Sequence, residues 1–110
     1  MADPTYLGID AGGSSTRWLL QDAAGAELAR GAGDPVSAIQ LRSGERDAAL
    51  ARLAAGLREV AAVARPARVA AGVTGLEPGS ADAEELRGLI AATLALAPEA
   101  VSVLPEMHIA

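Results

Sequence analysis

The stretch of sequence that decides the fold is residues 5–16, TYLGIDAGGSST. It opens with a short run of apolar and β-forming residues, and this run is followed at once by Asp10 and by a cluster of glycines and serines. Such a pattern is typical of a buried strand that leads into a loop. A second strand-forming run, TRWLL at 16–20, follows directly. The sequence therefore predicts two strands separated by a short glycine-rich segment.

Segment 10–16, DAGGSST, is the part of the chain richest in residues that could bind a ligand. Consecutive small residues allow backbone N–H groups to converge on one anion, and three hydroxyl groups add donors. Asp10 at the end of the strand would repel a phosphate unless a cation lay between them, and Mg²⁺ is the natural choice. Composition alone leaves two interpretations open, which are a phosphate-binding turn and a glycine-rich hairpin with a solvated aspartate.

The rest of the chain predicts a mixed α/β domain in the order β-β-β-α-β-α-β. Turn-forming residues at 22–25 precede a third strand and suggest a hairpin. The further predicted elements are strand 27–31, a helix capped by Ser43 or Gly44 and ended by Pro66, strand 68–73, a helix capped by Ser80 and ended by Pro98, strand 101–104, and a helix starting within 105–110. Because strands alternate with helices in the second half, parallel pairing with right-handed crossovers is expected there.

Composition excludes several classes of function. The 110 residues contain no Cys, and all nine basic residues are Arg, so zinc ribbons, thiolate nucleophiles and a Walker-type loop with its Lys are absent. A net charge of −5 argues against nucleic acid as a partner. No stretch predicts a membrane span or a signal peptide, so the expected location is the cytoplasm. Hydrophobic residues make up 51% of the chain but aromatic ones only 2%, so the core must be built from small side chains.

Residues 6–16 resemble the first phosphate motif of the actin/Hsp70/hexokinase superfamily, and within it the BadF/BadG/BcrA/BcrD ATPase family, which includes N-acetylglucosamine kinases. The family motif G-x-D-G-G-G-T-K-T is matched at five positions, Gly8, Asp10, Gly12, Gly13 and Thr16. The chain differs from the motif at Ala11, Ser14 and Ser15. Segment 72–76, GVTGL, is similar to a second family segment, which follows the fourth strand. The resemblance implies a ribonuclease H-like lobe with a mixed five-stranded sheet.

The resemblance also implies a set of site residues. Asp10 would organise the Mg²⁺–phosphate complex of ATP and so act as the metal-binding and a catalytic residue. The phosphates would be bound by Gly12, Gly13, Ser14, Ser15 and Thr16. Glu106 stands where the sugar kinases have a catalytic aspartate that accepts the proton of a sugar hydroxyl. From the residues alone, the favoured interpretation of Glu106 is a carboxylate at the start of a helix, where the helix dipole stabilises a negative charge. Contacts to the sugar are implied for Asp34, Ser37, Thr74 and Gly75.

In this superfamily two lobes enclose the nucleotide, so residues 1–110 are expected to form the N-terminal lobe, inactive without its second lobe. The implied function is that of an ATP-dependent kinase acting on a sugar or amino sugar. Two alternatives stay open, an ATPase that activates a partner dehydratase and a sugar-sensing lobe without catalysis. Self-association or a homodimer through the exposed lobe face is also expected. His108, the only histidine, is interpreted as a surface or interface residue.

Overall fold

A computed structural model describes residues 3–106. The strands are β1 (Thr5–Ala11), β2 (Thr16–Asp22), β3 (Glu27–Gly33), β4 (Arg68–Val73) and β5 (Val101–Leu104), and the helices are α1 (Ala38–Leu41), α2 (Arg46–Val63) and α3 (Ala81–Leu94), with a 3-10 turn at Pro98–Ala100. No helix within residues 3–106 is long and apolar enough to cross a membrane.

The five strands form one mixed sheet in the order β3-β2-β1-β4-β5. β1 pairs antiparallel with β2 and parallel with β4, and β5 pairs parallel with β4. The predicted fold class is therefore confirmed, since the sheet combines an antiparallel meander with parallel strands reached through helical crossovers. β1 lies at its centre, with neighbours on both sides.

Alternation along the strands gives the sheet two different faces. In β1, Leu7, Ile9 and Ala11 are buried, whereas the residues between them are exposed or half-buried. The buried set joins residues of α2 and α3 in a single apolar core, of which the fully buried members include Leu20, Val60, Leu86, Ile90 and Leu94. Both long helices therefore cover one face of the sheet, and Asp10 lies on the other.

Ion pairs tie the two long helices together at their first turns. The Arg46 guanidinium lies 2.8 Å from an Asp82 carboxylate oxygen and also pairs with Glu85. Ser80 caps α3 as predicted, since its Oγ accepts a hydrogen bond from the Ala83 N–H at 3.1 Å. These contacts join the first turns of α2 and α3, while the shared apolar core holds both helices on the sheet.

The predicted elements differ from the structure in four respects. β1, β2 and β3 each continue two residues further than predicted, because the backbone pairing between neighbouring strands extends to the loops. α1 was not predicted, since four residues are too few to show a period. The N-cap prediction for the next helix is wrong: Glu45 occupies that position, and the Ser43 hydroxyl instead accepts from the Glu45 N–H. Pro98 begins the 3-10 turn rather than only ending α3.

The helix predicted within 105–110 falls largely on residues 107–110, outside those described, and so does His108. Leu104 and the two residues after it are exposed.

Candidate functional site

The sheet brings the sequence-predicted site residues to one edge. β1, β4 and β5 run parallel, so their carboxyl ends lie side by side, together with the β1–β2 turn and the loop that follows β3. We call this region the carboxyl edge, comprising residues 10–16, 33–38, 73–76 and 104–106. Ligands of open α/β sheets bind outside the carboxyl ends of the strands. The fold therefore places these residues where a ligand site is expected.

The β1–β2 turn is closed by a hydrogen bond from the Gly12 N–H to the Ser15 carbonyl at 2.9 Å. A Cβ at position 12 would lie 3.3 Å from that carbonyl oxygen and 3.9 Å from Thr74 Oγ1. A side chain at position 12 would therefore require the Ser15 carbonyl to move by a few tenths of an ångström, whereas Gly13 has open space where a Cβ would be. Ser14 is exposed and Ser15 half-buried. The turn is tightly closed at its base and open at its tip.

Backbone hydrogen bonds join this turn to two other loops. The Thr74 N–H donates to the Ala11 carbonyl at 3.0 Å, and the Ala38 N–H donates to the Thr74 carbonyl at 3.1 Å. Gly75 follows with φ +79°, and a Cβ there would lie 3.3 Å from the Ala38 Cβ. Residues from the ends of β1 and β4 and from the start of α1 are thus held in one cluster.

Asp10 is the acidic group closest to the turn. It is half-buried, and its cross-strand neighbours are Arg17 on β2 and Gly72 on β4. Its carboxylate forms no hydrogen bond or ion pair with any residue between 3 and 106. Gly72 has no side chain, so it places no group beside the carboxylate from β4. A carboxylate without an internal partner at this edge can accept an external ligand.

Thr16 differs from the two serines before it. Its side chain is buried, and its Oγ1 has no hydrogen-bond partner among the described residues. By strand alternation it lies on the helix side of the sheet, in line with Leu20, and it borders a cavity against α2. Its role as a phosphate ligand stays a prediction, and its hydroxyl lies on the opposite face of the sheet from Asp10.

The residues predicted to contact the sugar occupy different settings. Thr74 and Gly75 are exposed beside the turn. Asp34 is exposed and forms an ion pair with Arg52 of α2, with 3.4 Å between Asp34 Oδ2 and Arg52 Nε. Ser37 is buried, and its hydroxyl donates a hydrogen bond to the Gln40 side-chain oxygen. Only the first two therefore present free groups to the edge, and the sugar-contacting roles remain predictions.

Glu106 lies two residues beyond the end of β5 and is exposed. Since Leu104 pairs with Gly72, the strand delivers this carboxylate to the same edge as Asp10. No group of three or more acidic or histidine side chains that could enclose a metal ion exists within residues 3–106. A cation at this edge would therefore take most of its ligands from a bound phosphate and from water.

Sequence reasoning missed two parts of the carboxyl edge. The contact of Ala38 with Thr74 depends on α1, which is too short to leave a periodic signal. The ion pair between Asp34 and Arg52 joins a loop to the second turn of a helix. Periodicity places Arg52 on the polar side of α2 but does not indicate which residue it reaches, so no signal in the sequence would have found this pair.

No protein-family model and no curated protein sequence matches the chain. Among solved structures it is similar to a protein from Chromobacterium violaceum described provisionally as an N-acetylglucosamine kinase. The two share 24% identity over 93% of this chain and 35% of that one, with a TM-score of 0.50. It is also similar to the PilM–PilN type IV pilus biogenesis complex, with 18% identity over 94% of this chain and 39% of the other, and a TM-score of 0.54.

At these identities the two likenesses establish the fold. The chain shares the mixed α/β fold of the segments that it matches, and it spans little more than a third of each of those chains. The finer resemblance to the BadF/BadG/BcrA/BcrD family stays a prediction from residues 6–16.

Proposed function

We propose that the chain is the phosphate-binding lobe of an ATP-dependent kinase whose substrate is a sugar or amino sugar. The observation that carries the proposal is the partner-free carboxylate of Asp10 beside a glycine turn that is closed at its base by a 2.9 Å hydrogen bond. The likeness to a provisionally described N-acetylglucosamine kinase supports the substrate class through the shared fold.

The turn fits the phosphates of a nucleotide. Gly13 and Ser14 form its open tip, where backbone N–H groups and a hydroxyl can reach phosphate oxygens without obstruction from a Cβ. Charge-assisted hydrogen bonds of this kind are shorter and stronger than neutral ones. Phosphoryl transfer needs little covalent chemistry from the protein and depends on positioning and charge stabilisation. The turn would supply the positioning.

Asp10 fits a role as the protein's contact to Mg²⁺. Magnesium commonly keeps several waters and binds through one or two carboxylates together with substrate phosphates. A single unpaired carboxylate next to a phosphate turn meets that requirement, whereas a cage of several acidic residues is not found within residues 3–106. When bound, the ion would neutralise charge on the phosphates. Asp10 itself would hold the ion's water shell in a fixed position.

Glu106 is proposed as the general base for the sugar hydroxyl. A base must come within hydrogen-bond reach of the proton that it removes. β5 places Glu106 at the same edge as Asp10, and its exposed carboxylate can turn toward a bound sugar. Thr74 and Gly75 lie between the β1–β2 turn and α1, and they would orient that sugar. Asp34 and Ser37 belong to the proposed sugar contacts as well, and each would have to exchange its present partner, Arg52 or Gln40, for the sugar.

A second lobe, which would supply the adenosine pocket, belongs to the proposal, as do a cytoplasmic location and a homodimer. We expect the chain alone to bind nucleotide phosphates weakly and to transfer none of them. Adding MgATP and N-acetylglucosamine to the chain should therefore give no ADP above the background of hydrolysis.

Nuclear magnetic resonance titration with MgATP tests the binding role. The backbone amide signals of Gly12, Gly13 and Ser14 should shift in a saturable way. Asp10→Asn should weaken this binding at least about tenfold, since it removes a charge-assisted contact. Asp3→Asn, which makes the same charge change before the other end of β1, should leave it unchanged. Equal affinity of the wild-type chain and Asp10→Asn, or no saturable shift at the turn, would reject the proposal.

A further inference from the structure

The two outer strands of the sheet are protected to different degrees. β5 has four residues, and the Arg87 side chain of α3 covers its start by donating to the Val101 carbonyl at 3.1 Å and to the Pro98 carbonyl at 2.9 Å. β3 forms the opposite edge with seven residues, most of them exposed. An exposed edge strand presents backbone N–H and C=O groups with which another chain can pair. β3 is therefore the more open of the two edges.

The hairpin between β2 and β3 shows which backbone groups of β3 face outward. The Asp22 N–H donates to the Ala26 carbonyl at 2.9 Å, so Asp22 turns its backbone groups toward β3. Because successive residues of an antiparallel strand turn these groups to opposite sides, positions 20, 18 and 16 of β2 do the same, and they pair with positions 29, 31 and 33 of β3. Arg30 and Ala32, which lie between those positions, therefore turn their N–H and C=O groups away from the sheet.

The stretch from Ala29 to Gly33 is suited to pairing with a further strand. The register shift between β2 and β3 comes before it, at Leu20/Gln21, and no proline interrupts it. Its single charged side chain, Arg30, pairs with Glu27. Neither the N–H nor the C=O of Ala32 bonds to any residue within 3–106. None of the proline residues, bulges or inward-pointing charges that commonly block an edge stands in this stretch.

A groove that is open to solvent lies beside β3, on the side of the sheet that carries the helices. We call it the lateral groove and define it by Trp18, Gly33, Leu53, Gly56 and Leu57. On this side β3 presents only Ala29, Gly31 and Gly33, so no large side chain of the strand reaches into the groove. A Cβ at Gly33 or at Gly56 would meet no atom within 4 Å. The groove therefore has room for an apolar side chain from a strand placed next to β3.

The charges at the rim of the groove favour a basic partner. Arg52 and Asp34 pair with each other at the end near the carboxyl edge. Glu59 lies about two turns further along α2, is exposed, and forms no ion pair with a described residue. α2 leads from the loop after β3 to the start of β4, so Glu59 lies further from the carboxyl edge than Arg52 does. The rim thus leaves one negative charge at its far end.

A second copy of β3 would not fill the groove. In an antiparallel pair, the more stable arrangement, outward-facing positions 30 and 32 of one copy would lie opposite the same positions of the other. Residues directly opposite each other share a face of the sheet, so Ala29, Gly31 and Gly33 of both copies would meet on the helix side. None of these has a side chain larger than a methyl. The groove is therefore filled by a strand of different sequence.

We propose that the edge of β3 and the lateral groove together bind an extended segment of a partner protein. The segment adds as a sixth strand antiparallel to β3, with a large apolar side chain in the groove and, two residues later, a basic side chain near Glu59. Strand addition takes its affinity from main-chain hydrogen bonds and its specificity from pockets for alternate side chains. This surface goes beyond the proposed kinase function, and it uses neither the β1–β2 turn nor Glu106.

The capped hexapeptide Thr-Val-Thr-Leu-Thr-Lys serves as the probe, since its Val, Leu and Lys side chains would all face the helix side. In a nuclear magnetic resonance titration, the amide signals of Arg30, Ala32 and Gly56 should shift in a saturable way. Hydrogen exchange of the Ala32 amide should slow, because its N–H gains a partner. The same peptide with Ala in place of Leu should bind about fivefold more weakly, because it leaves the groove empty.

Two variants at position 32 test the pairing of the edge. Ala32→Pro removes the outward N–H and no hydrogen bond to β2, so the fold should persist while the affinity for the peptide falls about fivefold. Ala32→Ser keeps the N–H and should bind the peptide as the wild type does.

Three further variants test the groove and its rim. Gly56→Leu fills the groove, so it should bind the leucine and alanine peptides equally weakly, whereas Gly88→Leu, on α3 with equally open space at its Cβ, should keep the preference for leucine. Glu59→Gln should weaken binding of the lysine-containing peptide about twofold, as expected for an exposed ion pair.

The proposal fails if the peptide shifts none of the three amides, if Ala32→Pro binds it as well as Ala32→Ser does, or if the leucine and alanine peptides bind the wild-type chain equally. Shifts of Arg30 and Ala32 that depend on protein concentration without any peptide would show that a second copy pairs with β3. That result would overturn the choice of a partner of different sequence.

Discussion

Each of the two hairpin turns of the sheet, at opposite ends of β2, has an aspartate beside it, and the two aspartates differ in their hydrogen bonds. Asp22, at the β2–β3 turn, accepts hydrogen bonds from the Ala24 and Ala26 N–H groups, both at 2.9 Å. Asp10, at the β1–β2 end, accepts none from any described residue. Both turns contain glycine, and both are closed by a backbone hydrogen bond, from Gly25 to Asp22 and from Gly12 to Ser15.

The difference separates a structural turn from a candidate binding turn. Side-chain hydrogen bonds from aspartate to its own turn are a common means of stabilising a reversal of the chain. At the carboxyl edge, the backbone alone closes the turn, and its polar side chains remain available. Removal of Asp22 should therefore change stability, and removal of Asp10 should change binding. The predictions below test this division, beginning with residues that support both turns.

Leu20→Ala should have the largest effect, because Leu20 is fully buried on the strand that joins the two turns. Truncation of a buried leucine costs about 2–5 kcal/mol of unfolding free energy. The core holds no Phe, so few large side chains can move to fill the gap. Denaturant unfolding of Leu20→Ala measures the loss. A change below about 1 kcal/mol would show that this part of the core is not packed as described.

Gly31→Ala should lower the free energy of unfolding by about 1–3 kcal/mol, because the new methyl would lie 2.6 Å from the Trp18 indole and force it to move. Gly33→Ala on the same strand meets no atom within 4 Å and provides the control. Tryptophan fluorescence should change in the first variant and not in the second. Equal stabilities for the two variants would contradict the packing of the indole over Gly31.

Gly75→Ala should lower the free energy of unfolding by about 1–2 kcal/mol, since Gly75 has φ +79° and little room beside Ala38. Gly79 has φ +81° with open space, so Gly79→Ala reports the backbone conformation alone. The amount by which Gly75→Ala lowers the unfolding free energy more than Gly79→Ala does measures the contact between the loop after β4 and α1. If thermal unfolding finds no excess, the two loops of the carboxyl edge are not held together as the structure indicates.

Asp22→Ala should have the smallest of these effects, about 1 kcal/mol, because the two lost hydrogen bonds are exposed to solvent. Asp10→Ala should change the unfolding free energy by less than about 0.5 kcal/mol, as is usual for a side chain without internal partners. Urea titrations of the two variants give the comparison directly. A larger loss for Asp10→Ala would assign that carboxylate a structural role.

The sequence predicted the order of strands and long helices because each has a clear signal. The alternation in β1 and the apolar stripe of α2 are long enough to define their period, and Ser80 forms the cap that its type and position indicate. The placement of Asp10, Gly12 and Thr74 in one site was instead implied by the family resemblance, and the topology brings them to one edge because parallel strands end there. The strands and the long helices needed only local patterns and the rules of chain connection.

What could not be predicted depends on contacts between distant residues. The link from Ala38 to Thr74 requires the exact path of the loop after β3, and the pairing of Asp34 with Arg52 requires the rotation of α2 about its axis.

Thermal unfolding with and without MgATP, for the wild-type chain, Asp10→Asn and Asp22→Ala, tests the division between the two turns most directly. A ligand that binds only the folded chain raises its stability by about 2.7 kcal/mol at one hundred times its dissociation constant. We predict that Asp10→Asn keeps the wild-type melting temperature without nucleotide but loses the rise with MgATP. Asp22→Ala, which loses both turn hydrogen bonds, should melt at a lower temperature and keep the rise. The opposite pattern, or a full rise in Asp10→Asn, would contradict the assignment of Asp10 to the binding site.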